Sequence, residues 1–323
     1  MADVENDTNQ SATGSDKQAQ SVVDRLVFAA LKEQTRARRW RVGFMLFFIA
    51  YLSIVTLMLF TGKSGDEQAD GTRHTAVVKL TGVIASGEAA GAENIITGLK
   101  AAFEHDDTAG VVIEINSPGG SPVQSAYIFD EIMRLKEEHD SIPVYAVVAD
   151  IAASGGYFVA AAADKIYVNQ SSLVGSIGVR MDAFGFVEMM KKIGVERRLL
   201  VAGENKGLFD PFLPEQSAQK AHLQSMLNEV HGHFINAVKQ GRGDRLVVNK
   251  DTFSGLIWSG EKALDLGLVD AYGTTRSVAR ELEAERVIDF TPEPDMLEDL
   301  ADLLGSSVGR GISQYLLGNF RLN

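Results

Sequence analysis

Residues 144–163 restrict the fold more than any other stretch. Val144-Tyr-Ala-Val-Val-Ala149 is a short unbroken apolar run, the pattern of a strand buried on both faces of a parallel sheet. It passes through Asp150-Ile-Ala-Ala-Ser-Gly-Gly156 into an alanine-rich segment, residues 157–163, that reads as a buried helix. Ser154 therefore stands where a strand hands over to a helix. Such a junction aims a side chain off the end of a sheet, beside unpaired N–H groups and the positive end of a helix dipole. Two readings of Ser154 are open: a helix-capping serine with packing glycines next to it, or an exposed nucleophile.

The same alternation continues on both sides. Strands are predicted at 76–80, 82–84, 111–116, 165–169 and 195–201, and helices at 92–103, 124–138, 186–193 and 214–240. Residues 175–179 are tight and glycine-rich, and residues 257–270 read as a turn, a short helix and a strand. Strand–helix units with glycine at the joints imply an α/β fold with mainly parallel strands. There is no repeat of the kind that builds a solenoid.

The N-terminal part is organised differently. Residues 1–20 are polar and read as disordered. Val22, Val23, Leu26, Val27, Ala30 and Leu31 recur at helical spacing, as in a helix that lies on a membrane surface or binds a partner, and the neighbouring sequence favours the membrane. Arg36, Arg38, Arg39 and Arg41 then precede residues 42–60, an apolar run without a charge. That run is long enough to span a bilayer, for which about 20 residues are needed. The arginines predict a cytoplasmic N-terminus, with the rest of the chain across the membrane. No small-x-small site follows Phe60, so an uncleaved signal anchor is predicted. The expected organisation is thus a tail at 1–41, a span at 42–60, a polar tether at 61–73, a folded domain at 74–290 and a C-terminal tail at 291–323. Leu297, Leu300, Leu303 and Leu304, then Ile312, Tyr315 and Leu316, suggest short amphipathic helices in that tail.

Composition removes several chemistries. With no cysteine, thiol nucleophiles, thiolate metal sites and disulfides are excluded. A net charge of −12, its acidic excess lying beyond Arg41, argues against a nucleic-acid partner. No motif has metal-ligand spacing. His231 and His233, two apart on a helix, point to different sides and read as solvated surface.

Asn116-Ser-Pro-Gly-Gly120, between a strand and a helix, is either a Pro-Gly turn or a loop whose Gly119 and Gly120 N–H groups face a developing oxyanion. A serine nucleophile needs a base, and none of the six histidines lies in a triad context. Gly203-Glu-Asn-Lys-Gly-Leu-Phe-Asp-Pro-Phe212 offers Lys206 among apolar residues. A lysine in water, with a pKa of about 10.4, holds its proton at neutral pH. Apolar burial would release it, provided Glu204 and Asp210 faced away. Taken alone, Lys206 reads better as an exposed loop lysine than as a base.

These motifs occur in order: Ala-Ala-Ser154-Gly-Gly-Tyr, Asn-Ser-Pro-Gly119-Gly120 before it, Gly175-Ser-Ile-Gly-Val179 after it, Lys206 ahead of Asp-Pro-Phe, and Ser259-Gly-Glu-Lys-Ala through Gly-Leu-Val-Asp270. As a set they resemble the signal peptide peptidase SppA family, in its half-length form, over roughly residues 74–282. The resemblance implies a ClpP/crotonase-like fold and a Ser–Lys dyad. Ser154 matches the nucleophile, Lys206 the general base, Ser176 a serine that orients the lysine, and Gly119 and Gly120 the oxyanion loop. It further implies a ring-like homo-oligomer in which serine and lysine come from neighbouring protomers. The expected enzyme is a serine endopeptidase of the bacterial inner membrane, with its catalytic domain in the periplasm. Its substrates would be apolar signal-peptide remnants, with no metal or cofactor. The rival expectations are a crotonase-type acyl-CoA enzyme and a catalytically silent scaffold that binds hydrophobic peptides.

Overall fold

The computed structural model describes residues 32, 35–36, 38–56 and 72–292. The expectations for residues 1–31, the polar tether and the C-terminal tail fall wholly or mostly outside them. The chain divides into two units, residues 1–70 and 71–323. In the first, helix α1 (Arg38–Thr56) is long and apolar enough, by length and composition, to cross a membrane, and none of it is buried. It covers all but the last four residues of the predicted span, which lie outside the described part.

The second unit is built on one sheet. Strand β1 (His74–Ile84) is followed by α2 (Ala92–Glu104), β2 (Thr108–Gly120), α3 (Pro122–Glu138) and β3 (Val144–Ala153). Then come α4 (Gly155–Ala160), β4 (Lys165–Val168), β5 (Leu173–Gly175), α5 (Val187–Ile193) and α6 (Ser217–Arg242). The chain continues with β6 (Ile257–Ser259), α7 (Gly260–Asp265), β7 (Ala271–Tyr272), α8 (Thr275–Glu281) and β8 (Val287–Asp289). The main path of the sheet runs β6-β5-β3-β2-β1-β8, with β4 and β7 branching from β3. Every pairing is parallel except β5 with β6.

Period-two patterning fixes which residues face which layer. Ala76, Val78 and Leu80 of β1, with Val111, Ile113 and Ile115 of β2, enter the main core with α2, α3 and α4. Val77, Val112 and Val147 point the other way, onto Tyr167 and Val278 of α8. Both faces are covered, which is why these strands read as unbroken apolar runs.

Three predicted boundaries are corrected. The strands expected at 76–80 and 82–84 are one strand, irregular in register between Thr81 and Val83. The segment expected as a joint at 116–120 remains part of β2, pairing Val83 with Gly119 and Ile84 with Gly120. The strand expected at 195–201 does not form. Its β-branched and leucine residues find no neighbouring strand, and Leu200 is 97% exposed. Strand preference reflects packing on neighbours rather than a backbone property, so without a partner it has no effect.

One buried polar network ties distant elements together. The fully buried Arg242 guanidinium donates to both carboxylate oxygens of Asp270 at 2.7 and 2.8 Å, and its Nε donates to the Gly267 carbonyl at 2.9 Å. Asp270 also accepts from the Ile166 N–H of β4 at 2.7 Å. The Tyr157 hydroxyl of α4 donates to the Leu268 carbonyl at 2.7 Å. The end of α6, the sheet and α4 are thereby fixed to one another.

Candidate active site

Parallel strands place all their C-terminal ends on one edge of a sheet, and ligands gather there. Register brings Ser117 of β2 opposite Ala152, and Ala153 of β3 opposite Gly175. Gly119, Ser154 and Ser176 therefore meet at that edge. All three line a cavity of about 950 Å³, together with Gly120.

Ser154 occupies the N-cap position of α4, yet its side chain makes no capping hydrogen bond. Its backbone, at φ 52° and ψ −123°, is in a region that costs a non-glycine residue of order 1–3 kcal/mol. Two backbone hydrogen bonds hold it there. The Ser154 N–H donates to the Gly175 carbonyl at 2.8 Å, and its carbonyl accepts from the Phe158 N–H at 2.9 Å. A capping serine normally has extended backbone and a bonded hydroxyl. Ser154 has neither, so the capping reading fails.

The glycines around it are close contacts. A Cβ on Gly155 would lie 2.4 Å from the Ser125 hydroxyl oxygen. Gly119 adopts φ +96°, and a Cβ there would lie 2.6 Å from the Gly155 nitrogen and 2.8 Å from the Ser154 Cβ. The β2 backbone is thus pressed against the serine. The Gly119 N–H donates to the Ser117 hydroxyl at 3.1 Å, and that hydroxyl donates to the Gly82 carbonyl at 2.6 Å. Ser176 also has positive φ, at 52°, and its N–H donates to the Leu256 carbonyl at 2.7 Å.

Lys206 does not line this cavity. It is exposed on a turn, where its N–H donates to the Gly203 carbonyl at 3.1 Å. The turn belongs to an arm, residues 180–216, in which no residue is buried. Phe186 on Phe212 (ring centroids 5.5 Å apart), the Phe186 N–H to the Pro211 carbonyl (2.7 Å) and Arg197 to Asp210 (2.9 Å) hold the arm together. Asp210 is thereby committed: the Phe212 N–H and the Arg197 guanidinium keep its carboxyl below the usual carboxylate range. The arm exposes Phe184 at 76%, along with Met189, Ile193 and Leu200. A smaller cavity of about 370 Å³ opens between the arm and the start of α6, lined by Phe184, Leu208, Leu223 and Leu227 but not by Lys206.

One of the two α6 histidines departs from expectation. His231 is half-buried, its Nε2 3.1 Å from the Ile177 carbonyl oxygen. His233 is exposed, as expected, but it lines the Ser154 cavity with Val230 and Phe234 of the same helix. The 230, 233, 234 spacing carries that signal, since these positions share a face of a helix.

Comparison with known proteins adds the following. Residues 136–289 match the profile of Peptidase family S49, and residues 74–173 that of Clp protease. Over 229 residues the chain is 34% identical to a putative protease of Methanocaldococcus jannaschii, covering 68% of this chain and 73% of that one. It is 29% identical over 256 residues to a putative signal peptide peptidase SppA of Enterococcus faecium, covering 76% and 74%. It is also 47% identical over 189 residues to a protein of Brucella abortus named Na(+)/H(+) antiporter NhaA. That match covers 58% of this chain but only 26% of the Brucella protein, so the chain spans about a quarter of it.

Proposed function

Because the chain belongs to peptidase family S49, we propose that it is a membrane-tethered serine endopeptidase whose active site is the Ser154 cavity. The observation that carries this reading is the strained, uncapped Ser154 at the sheet edge. Such strain persists where the surrounding structure enforces it, and it clusters at functional sites.

In the proposed mechanism, the Ser154 hydroxyl adds to a peptide carbonyl while an amine takes its proton. The same amine then protonates the leaving nitrogen, and water releases the acyl group by the reverse sequence. Backbone N–H groups at Gly120 and at the start of α4 are assigned to the developing oxyanion. Gly119 shapes that end of β2, its own N–H being taken by Ser117.

Lys206 is assigned as the amine, supplied by a neighbouring copy of the chain, with Ser176 orienting it. Two observations support a shared site. Lys206 is absent from the Ser154 cavity of its own chain, and its arm has an exposed apolar surface and no buried residue. An apolar surface of that kind marks an interaction face. Covering it with a second copy would remove the turn from water, as a neutral lysine requires. With α1 in the inner membrane, the domain would lie in the periplasm and act on apolar peptides such as signal-peptide remnants.

A fluorophosphonate probe tests the nucleophile. The account expects stoichiometric labelling at Ser154, and loss of both labelling and peptide hydrolysis in Ser154→Ala. Hydrolysis retained in a folded Ser154→Ala protein would overturn it.

A further inference from the structure

We propose that Arg180 and His233 form a rim of the Ser154 cavity that reads a carboxylate on the substrate, so that the enzyme favours an anionic group beside the scissile bond over a cationic one. The inference rests on the peptidase reading of Ser154 and concerns which peptides that site accepts.

The first observation is the charge of the lining. The chain carries 43 acidic residues against 31 lysines and arginines. Among the described residues, none lining this cavity is aspartate or glutamate, and the ionisable groups other than hydroxyls are Arg180 and His233. A lining that carries a guanidinium and no carboxylate stands out in so acidic a protein.

The second observation is position. Arg180 follows Ser176 by four residues, and both line the cavity. His233 stands one turn beyond Val230 on α6, next to Phe234, whose ring stacks on Phe158 with centroids 4.9 Å apart. The Arg180 guanidinium and the His233 imidazole therefore share one space with the serine and with apolar walls. A cavity lined by one sign of charge draws in the opposite one.

The third observation is availability. Arg180 lies 3.5 Å from Asp182, with side chains 89% and 70% exposed. A pair so open is held weakly, and a substrate carboxylate can take the place of Asp182. A lysine or arginine at the same substrate position meets like charge, which interfaces use to reject partners.

The carboxylate has two sources, an acidic side chain or a free C-terminus. The test uses the full-length protein in detergent and one apolar peptide, with Glu, Gln or Lys placed in turn at each position flanking the cleaved bond. Each peptide is made with a free and an amidated C-terminus, and cleavage is followed in competition by mass spectrometry. At one position the Glu peptide should be cleaved about tenfold more efficiently than the Lys peptide. If the free C-terminus is the group read, amidation should instead produce the loss. In Arg180→Gln/His233→Gln, or in the single Arg180→Gln should the double variant misfold, the preference should shrink markedly. Lys262→Gln, which removes an exposed amine paired with Asp265, should keep it. Equal cleavage of all peptides in both end forms, or an unchanged preference in the rim variants, overturns the proposal alone. No cleavage of any peptide, or cleavage surviving Ser154→Ala, overturns the peptidase reading beneath it.

Discussion

Replacing Arg242 by methionine should destabilise the catalytic unit severely. The guanidinium is fully buried, makes two bonds to Asp270 and one to the Gly267 carbonyl, and has no solvent to replace them. Removing one partner of a buried pair costs about 3–5 kcal/mol, because the other charge stays behind. Asp270 would keep the Ile166 N–H at 2.7 Å and Arg245 at 3.2 Å, so the loss should fall near the lower end. About 3 kcal/mol in a unit of this size lowers the melting midpoint by roughly 6–12 °C. Thermal melts of full-length protein in detergent, followed by near-ultraviolet circular dichroism, would measure it. Arg242→Met/Asp270→Leu should recover part of the loss. Full recovery is not expected, since the Ile166 N–H would then be unpaired at about 1–3 kcal/mol. A midpoint for Arg242→Met within about 2 °C of wild type, less than 1 kcal/mol on the same scale, would refute the reasoning.

Stability should also fall with acid in two separate windows. Burial, His105 and Arg286 hold the fully buried His74 imidazole below its ordinary value, outweighing Asp107 and the Thr72 carbonyl. The unfolded chain then takes that proton first, so stability is complete above about pH 6.5 and declines as pH drops toward the folded value. His74→Phe should flatten melting midpoints across that range, and an unchanged slope would exclude the assignment. Asp270 acts lower: burial raises its carboxyl, but the Arg242 bonds and the Ile166 N–H prevail and lower it. Its contribution is present above about pH 4 and should disappear as pH falls through its folded value, a loss that Asp270→Asn removes in acid melts. Gly119→Ala, at φ +96° with a Cβ 2.8 Å from that of Ser154, should displace the serine. Peptidase activity should fall about a hundredfold, the effect of a shift near 1 Å, and near-wild-type turnover would show that the loop has room.

What the sequence revealed follows the physics of each element. Strands buried on both faces, such as β2 and β3, are apolar in any setting, so their places were legible from residues 111–116 and 144–149. The Ser154 junction was legible because an apolar strand, two glycines and an alanine-rich helix leave few ways to connect. Residues 195–201 misled because their strand preference needs a neighbour that the fold does not provide. The network around Arg242 was invisible because it joins residues 242 and 270 by tertiary contact. His233 reached the cavity through the placement of α6, which local pattern does not specify. Lys206 is the instructive case. Its motif named it, yet its own chain leaves it exposed on an arm with no buried residue. In the proposed assembly the missing contact belongs to another molecule, and neither the single sequence nor the single chain contains it.

Subunit complementation tests the central claim most directly. Ser154→Ala and Lys206→Met proteins, each expected to be inactive alone, are co-assembled in equal amounts and their peptidase activity is measured. If serine and lysine come from different copies, random mixing restores about a quarter of wild-type activity, since half the serine sites are intact and half of those meet an intact lysine. Activity that stays at the level of the separate variants in a demonstrably mixed assembly would contradict the account.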